Sequence, residues 1–198
     1  MSQEVRWSVL VRRLRWDLQD PLERKYYGYW LLWEVPGTFG NALRGRYVAR
    51  RMRSCGANLR VLPGARFRSL ERLVVGDNVL IGADNFWQSS GGLRVGSNVR
   101  TGPGVKIWSG NHNYDDPDVP VNRQGYTEKE VIIEDDVEIG ANTFILPGAV
   151  LSRGCRVQPG AIVGGKVYRP FSIIAGNPAR VVGLIDEVNG RADQPADG

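Results

Sequence analysis

The chain contains one histidine, His112, within the segment WSGNHNYDD (residues 108–116), where Tyr114, Asp115 and Asp116 follow it closely. An imidazole titrates near neutrality, so it can take a proton from a hydroxyl as a general base, a contribution typically worth about 10² to 10⁴ in rate. A lone loop histidine is often no more than a solvated side chain. Two features favour the functional reading here: the carboxylates beside it, and its place at the edge of the one major interruption in an otherwise regular sequence. Neither Cys55 nor Cys155 lies near it in sequence, so no covalent cysteine intermediate is expected. Trp87 and Tyr114 could each stack on a ring of the substrate, although Trp87 reads equally well as packing. One histidine cannot supply a three-histidine zinc site, and the two cysteines form no C-x-x-C pair. No metal is expected, and a reducing cytoplasm is the default compartment.

The elements that must hold His112 are set by a period of six. From Ile133 onward the chain reads IEDDVE, IGANTF, ILPGAV, LSRGCR, VQPGAI, VGGKVY. An aliphatic residue opens each block (Ile133, Ile139, Ile145, Leu151, Val157, Val163), and a small or β-branched one fills the fifth place (Val137, Thr143, Ala149, Cys155, Ala161, Val167). The same register runs upstream in CGANLR, VLPGAR, VGDNVL, IGADNF, VGSNVR and TGPGVK, with two extra residues at Leu73-Val74 and again at Leu93-Arg94. Six fits neither the 3.6 of an amphipathic helix nor the 2 of an alternating strand. It fits one face of a three-sided coil: a short strand, a turn at Gly, Asn or Asp, and an inward aliphatic side chain. The 25 glycines, well above a typical share of roughly 7%, suit that many turns. Coils of about 18 residues would stack at about 4.8 Å, and about five of them between residues 55 and 169 make a prism on the order of 25 Å long. The expected fold is an all-β solenoid, a parallel β-helix. Between Ile107 and Ile133 the phase is lost, leaving an excursion loop over residues 109–130, and long excursions from rigid scaffolds are where function tends to sit.

Residues 1–54 lack the period and carry the positive charge. They hold eleven Lys or Arg against five Asp or Glu, while the rest of the chain is close to neutral. Residues 6–18 read as a basic amphipathic helix, residues 26–33 as an aromatic run ended by Pro36-Gly37, and residues 42–52 as a second basic helix. Four of the six tryptophans fall within residues 1–33. One reading is a cap over the open end of the prism. The other is peripheral membrane contact through residues 1–34, with arginines at anionic headgroups and Trp and Tyr at the boundary. No stretch is apolar enough for a membrane span and the start lacks a signal peptide's core, so a cytoplasmic protein is expected, at most attached to the inner membrane face. No nucleic-acid motif is present. Residues 186–198 read as a polar, disordered tail.

Residues 75–182 resemble the hexapeptide-repeat acyltransferases, in particular the branch of maltose, galactoside and lipopolysaccharide or capsule O-acetyltransferases. IGADNF (81–86), WSGNH (108–112), the long loop, IEDDVEIGANTFILPGAVL (133–151) and IAGNPARVV (174–182) carry the resemblance, over a little more than half the chain. It implies a left-handed coil, a homotrimer with active sites at the clefts between prisms, and acetyl-CoA as donor to a sugar hydroxyl. It implies His112 as general base and Asn85 as an acceptor contact, with Trp87, Tyr114 and Asp115 beside the acceptor. It places the pantetheine against backbone amides near Ala141 and Gly160, with Lys166 and Arg180 toward the phosphates. The acceptor would be a sugar, a sugar nucleotide or a lipid-linked sugar of surface polysaccharide or lipopolysaccharide synthesis. Two departures stand out. Where many relatives carry a carboxylate that orients the imidazole, this chain has Ser89-Ser90-Gly91-Gly92, leaving Asp115, Asp116 or a backbone carbonyl to substitute. Where relatives run A-G-S-x-V-T-K-D, it has PGAIVGGKVY, and Pro159 has no N–H to donate. An amino-sugar N-acetyltransferase is the rival enzyme, and a non-catalytic structural β-helix the rival outside catalysis.

Overall fold

The computed structural model describes residues 7–185; the expected disordered tail at 186–198 lies outside them. Three parallel sheets form the sides of a left-handed β-helix. Face A stacks Ser54–Cys55, Leu73–Val75, Leu93–Val95, Val131–Ile133, Val150–Leu151 and Val167–Tyr168. Face B stacks Arg60–Val61, Leu80–Ile81, Arg100–Thr101, Glu138–Ile139, Arg156–Val157 and Ser172–Ala175, and Arg180–Leu184 folds back antiparallel on the last of these. Face C stacks Arg66–Arg68, Phe86–Gln88, Lys106–Trp108, Phe144–Ile145 and Ile162–Val163. Five coils are complete and a sixth is begun.

The fourth residue of each hexapeptide explains the corners. Asp136, Asn142, Gly148, Gly154 and Gly160 all have φ between 56° and 81°, the left-handed region that Gly, Asn and Asp enter at least cost. The first and fifth residues point inward: Ile133, Ile139, Ile145 and Leu151 are at most 1% exposed, and Val137, Thr143, Ala149, Cys155 and Ala161 fill the space between those ladders. Burial raises the pKa of the Cys155 thiol, which lies wholly inside. The last block departs from expectation. Leu151 stacks on Tyr168, so Tyr168 faces inward and Val167 is left 69% exposed. Gly164-Gly165 makes that corner one residue shorter than the period allows.

The two-residue insertions occur just ahead of Leu73 and Leu93, at the corner leading from face C to face A. Ser54 pairs with Val74 and Val74 with Arg94, twenty residues on each time, whereas Ile132 pairs with Val150, eighteen on. The first insertion is a 3-10 turn, Leu70–Arg72; the second is Ser89-Ser90-Gly91-Gly92. The long excursion leaves from the same corner one coil later, so three successive irregular corners line one edge of the prism.

At the N-terminal end, helix α1 (Trp7–Gln19) and helix α2 (Pro21–Trp30) precede helix α3 (Gly37–Ala49). The α3 helix lies on the first coil at Gly45, where a Cβ would meet the Leu59 carbonyl oxygen. Arg44 on α3 is fully buried. Its guanidinium donates to the carbonyls of Val61, Leu32, Trp33 and Val35 and to Asn41 Oδ1, at 2.6 to 3.1 Å. That set of acceptors ties the turn after α2 to the first coil, and it offsets the cost of burying a cation. Tyr29 adds a bond from its hydroxyl to the Ala65 carbonyl at 2.8 Å, and burial pushes its phenol pKa up. The end of α2 and α3 thus cap the prism, whereas α1 has no buried residue.

Candidate functional site

The excursion is an ordered structure. Gly110–His112 and Tyr126–Glu128 form an antiparallel pair in which His112 stands opposite Tyr126. Their rings meet edge to face at 5.1 Å and 81°. Gly110 is required for this, since a Cβ there would collide with the Tyr126 ring. The Tyr126 hydroxyl accepts a bond from Gln88 Nε2 at 2.5 Å, which fastens the hairpin to face C of the preceding coil. Inside the loop Gln124 is the hub: its amide donates to the Asp116 and Val119 carbonyls and accepts from the Asp116 N–H.

His112 opens onto a cavity of about 440 Å³ with Tyr114, Asp115, Thr127, Lys129, Pro147 and Gly165 among its walls. Tyr114, 70% exposed, stands free to cover a ring. The Lys129 stem passes over Gly148, 3.4 Å from where a Cβ would be, and Lys129 lines the same cavity. The cavity therefore holds one imidazole, one carboxylate, one ammonium and one exposed aromatic ring, enough to orient a polyhydroxyl compound and remove one of its protons.

The structure brings His112, Tyr114 and Asp115 together and separates the other expected contacts from them. Asn85 and Trp87 have no exposed surface. Asn85 Oδ1 accepts from Trp87 Nε1 at 3.2 Å and Thr101 Oγ1 at 2.8 Å, and its amide donates to the Gly102 carbonyl at 2.8 Å. Both residues belong to a satisfied polar cluster within the prism, and Trp87 also packs its ring on Phe67. Neither can touch an acceptor, which corrects the expectation for both. Of the two carboxylates expected to orient the imidazole, Asp115 lines the cavity beside it and Asp116 is engaged within the loop. Asp116 Oδ1 accepts the Asp118 N–H at 2.9 Å in its own turn, and it is the Tyr126 ring that abuts the imidazole. Tyr126, Gln88 and Lys129 were not singled out in the sequence, because nothing in the spacing of residues 109–130 reveals a hairpin.

The residues assigned to the donor are divided between two edges. Ala141 and Gly160 occupy the corner from face B to face C, stacked one coil apart, at the opposite end of face C from His112. The Gly160 N–H already donates to the Ala141 carbonyl at 2.8 Å, so that amide is not available to pantetheine. Gly160 itself faces open space, with no other atom within 4 Å of where a Cβ would stand. Lys166 adjoins Gly165 of the His112 cavity and sets its ammonium 5.1 Å from the Tyr168 ring. Arg180 is exposed at the start of the final strand.

Among the described residues, no three His, Cys, Asp or Glu side chains are grouped as a metal site would need, and no helix is long and apolar enough to cross a membrane. No family model matches the chain. It is 33% identical over 107 residues to a probable acetyltransferase of Mycobacterium tuberculosis, covering 54% of this chain and 35% of that protein. Over 57 residues it is 46% identical to a 2,3,4,5-tetrahydropyridine-2,6-dicarboxylate N-acetyltransferase of Brevibacillus brevis, covering 29% and 24%. The chain thus spans about a third or less of the length of these curated relatives. Among solved structures, a hexapeptide-repeat acetyltransferase from Vibrio cholerae complexed with acetyl-CoA superimposes with a TM-score of 0.69 at 19% identity, over 81% of this chain and 85% of that one. A maltose O-acetyltransferase from Clostridium difficile gives 0.65 at 20% identity, over 85% and 90%. The chain shares the left-handed β-helix fold of the hexapeptide-repeat acetyltransferases.

Proposed function

We propose that the protein transfers an acetyl group from acetyl-CoA to a hydroxyl of a sugar, with His112 as general base. The observation that carries this reading is the cavity at the C-to-A edge, where the imidazole shares a polar, half-open space with Tyr114 and Asp115. A ring nitrogen of His112 takes the proton as the sugar oxygen attacks the thioester carbonyl. The carbon–sulfur bond then breaks, the imidazolium returns the proton to the departing thiolate, and an acetyl ester and free coenzyme A result. Backbone N–H groups at the coil turns would steady the oxyanion.

The division of the expected donor and acceptor residues between two edges supports a homotrimer. In a three-fold ring each prism offers one edge to a different edge of its neighbour, so the Ala141 and Gly160 corner of one chain can face the His112 corner of the next. Acceptors in surface polysaccharide or lipopolysaccharide synthesis fit this reading, as does peripheral contact with the inner membrane face through the exposed helix α1.

The test is release of free thiol from acetyl-CoA across a panel of sugars and nucleotide sugars, with the product identified by mass spectrometry. His112→Ala should lower turnover by at least about a hundredfold. A fall of less than about fivefold would remove His112 as the base. The likeness to an N-acetyltransferase keeps amine acceptors as a second reading; turnover on amino-sugar nucleotides alone, with every hydroxyl acceptor inert, would establish it.

A further inference from the structure

A second cavity, about 410 Å³, opens between the N-terminal cap and face C of the first two coils. Its walls are aromatic and cationic: Trp33, Tyr47 and Phe86 stand with Arg51, Arg66 and Arg68. The Arg51 guanidinium lies 3.7 Å above the Tyr47 ring and donates to the Tyr47 carbonyl, while that of Arg66 lies 5.0 Å from the Trp33 ring. Arg66 and Arg68 flank inward-facing Phe67, so both project from the outer side of face C. Among the described residues no Asp or Glu lines the cavity, and none of the three arginines is in an ion pair. Three guanidinium forks beside flat apolar walls suit a ligand with adjacent phosphates attached to a ring or a hydrocarbon chain. The volume falls within the range of small-molecule sites, roughly 300 to 1,000 Å³.

This cavity is connected to His112 along one side of the prism. Arg68 and Gln88 are register neighbours on face C, Gln88 bonds the Tyr126 hydroxyl, and the Tyr126 ring abuts the imidazole. One strand spacing and two side-chain contacts put the arginines on the order of 15 Å from His112. We propose that the cavity is an acceptor subsite for a diphosphate, so that the sugar is presented to His112 while its diphosphate carrier is held by Arg51, Arg66 and Arg68. This rests on the acetyl-transfer reading and narrows its acceptor to a short oligosaccharide on a diphosphate carrier, since a single ring would not span the interval between the arginines and His112.

The experiment is calorimetric titration of the intact protein and of His112→Ala with uridine diphosphate, farnesyl diphosphate, inorganic pyrophosphate and coenzyme A. Binding of uridine diphosphate identifies a nucleotide carrier, and binding of farnesyl diphosphate a lipid carrier. Pyrophosphate should bind more weakly than whichever of these is preferred. Arg66→Ala/Arg68→Ala should weaken the preferred diphosphate at least tenfold and leave coenzyme A unchanged. Arg68→Gln, a milder change on the outer side of a strand, should weaken it several-fold should the double variant not fold. Absence of diphosphate binding, or binding indifferent to these substitutions, overturns the proposal. Equal loss of coenzyme A binding in the arginine variants also overturns it, by making the cavity a donor site. Because His112→Ala should bind diphosphates normally, failure of acetyl transfer with binding intact counts against the catalytic reading and not against this subsite. Acetylation of uncharged sugars without any diphosphate binding has the opposite meaning.

Discussion

At the scale of single residues, the orientation of His112 is the point on which the chemistry turns. A general base must present one ring nitrogen to the attacking hydroxyl, and small errors in placement are costly. Here the flat edge-to-face contact with Tyr126 limits rotation of the imidazole, and Gln88 in turn holds the Tyr126 hydroxyl. Tyr126→Ala should therefore lower kcat by about tenfold with little change in KM for acetyl-CoA. Tyr126→Phe, which keeps the ring and loses only the Gln88 bond, should recover most of the loss. Steady-state kinetics of the two variants checks this; a Phe variant as impaired as the Ala variant would mean that the hydroxyl, not the ring contact, matters. The sequence singled out His112 through its singularity and its neighbours. It could not reveal Tyr126, fourteen residues away, because the pairing that places the two rings together depends on a hairpin without a period of its own. The expectation for Asn85 came from the resemblance alone, and nothing in the local sequence could correct it: an amide next to a turn looks the same whether it faces solvent or an internal threonine.

At the scale of elements, the hexapeptide strands were legible almost residue by residue, because each repeat carries its own inward aliphatic and its own left-handed corner. The cap was legible only in outline. Helix α1 runs Trp7–Gln19 and helix α3 Gly37–Ala49, near the expected segments, yet α3 is held by the buried Arg44, which reads in sequence as one more surface charge. Helix α1 poses a different problem. Trp7, Leu10, Val11, Leu14 and Leu18 fall on one arc of the helix, and all are more than 40% exposed. Asp17, bonded to Tyr27, marks the side turned to α2 and borders the arc next to Leu10, while the arc itself is left to solvent. Arg12, Arg13 and Arg15 stand on the remaining surface. An apolar arc bordered by arginines complements an anionic bilayer surface and would repel a second copy of itself. In sedimentation with vesicles of phosphatidylcholine and phosphatidylglycerol, the intact protein should pellet, and Trp7→Ser/Leu14→Ser should remain mostly in the supernatant. Equal recovery of both in the supernatant would eliminate the membrane contact.

At the scale of the whole molecule, the prism turns a linear repeat into three separate edges, and the proposed reaction needs two of them. The proposed acceptor side is where face C passes to face A, because the insertions and the excursion all leave there. The donor side is expected where face B passes to face C, along Ala141 and Gly160. A single rigid β-helix cannot bend one edge onto another, since every coil is hydrogen-bonded to the coils above and below it. The proposed reaction would therefore need a second chain to complete its site, and that requirement distinguishes a trimeric enzyme from an independent prism. Gly160→Asp is a suitable donor-edge variant: aspartate tolerates the left-handed backbone at that corner, where φ is 73°, and its carboxylate would enter the open space in front of it. His112→Ala and Gly160→Asp chains should each be nearly inactive alone. When the two are co-expressed, the assembled population should recover on the order of a quarter of wild-type turnover, because random assembly places an intact His112 edge against an intact Gly160 edge at about that frequency. No recovery in trimers shown by mass spectrometry to be mixed would mean that each chain carries both halves of its own site.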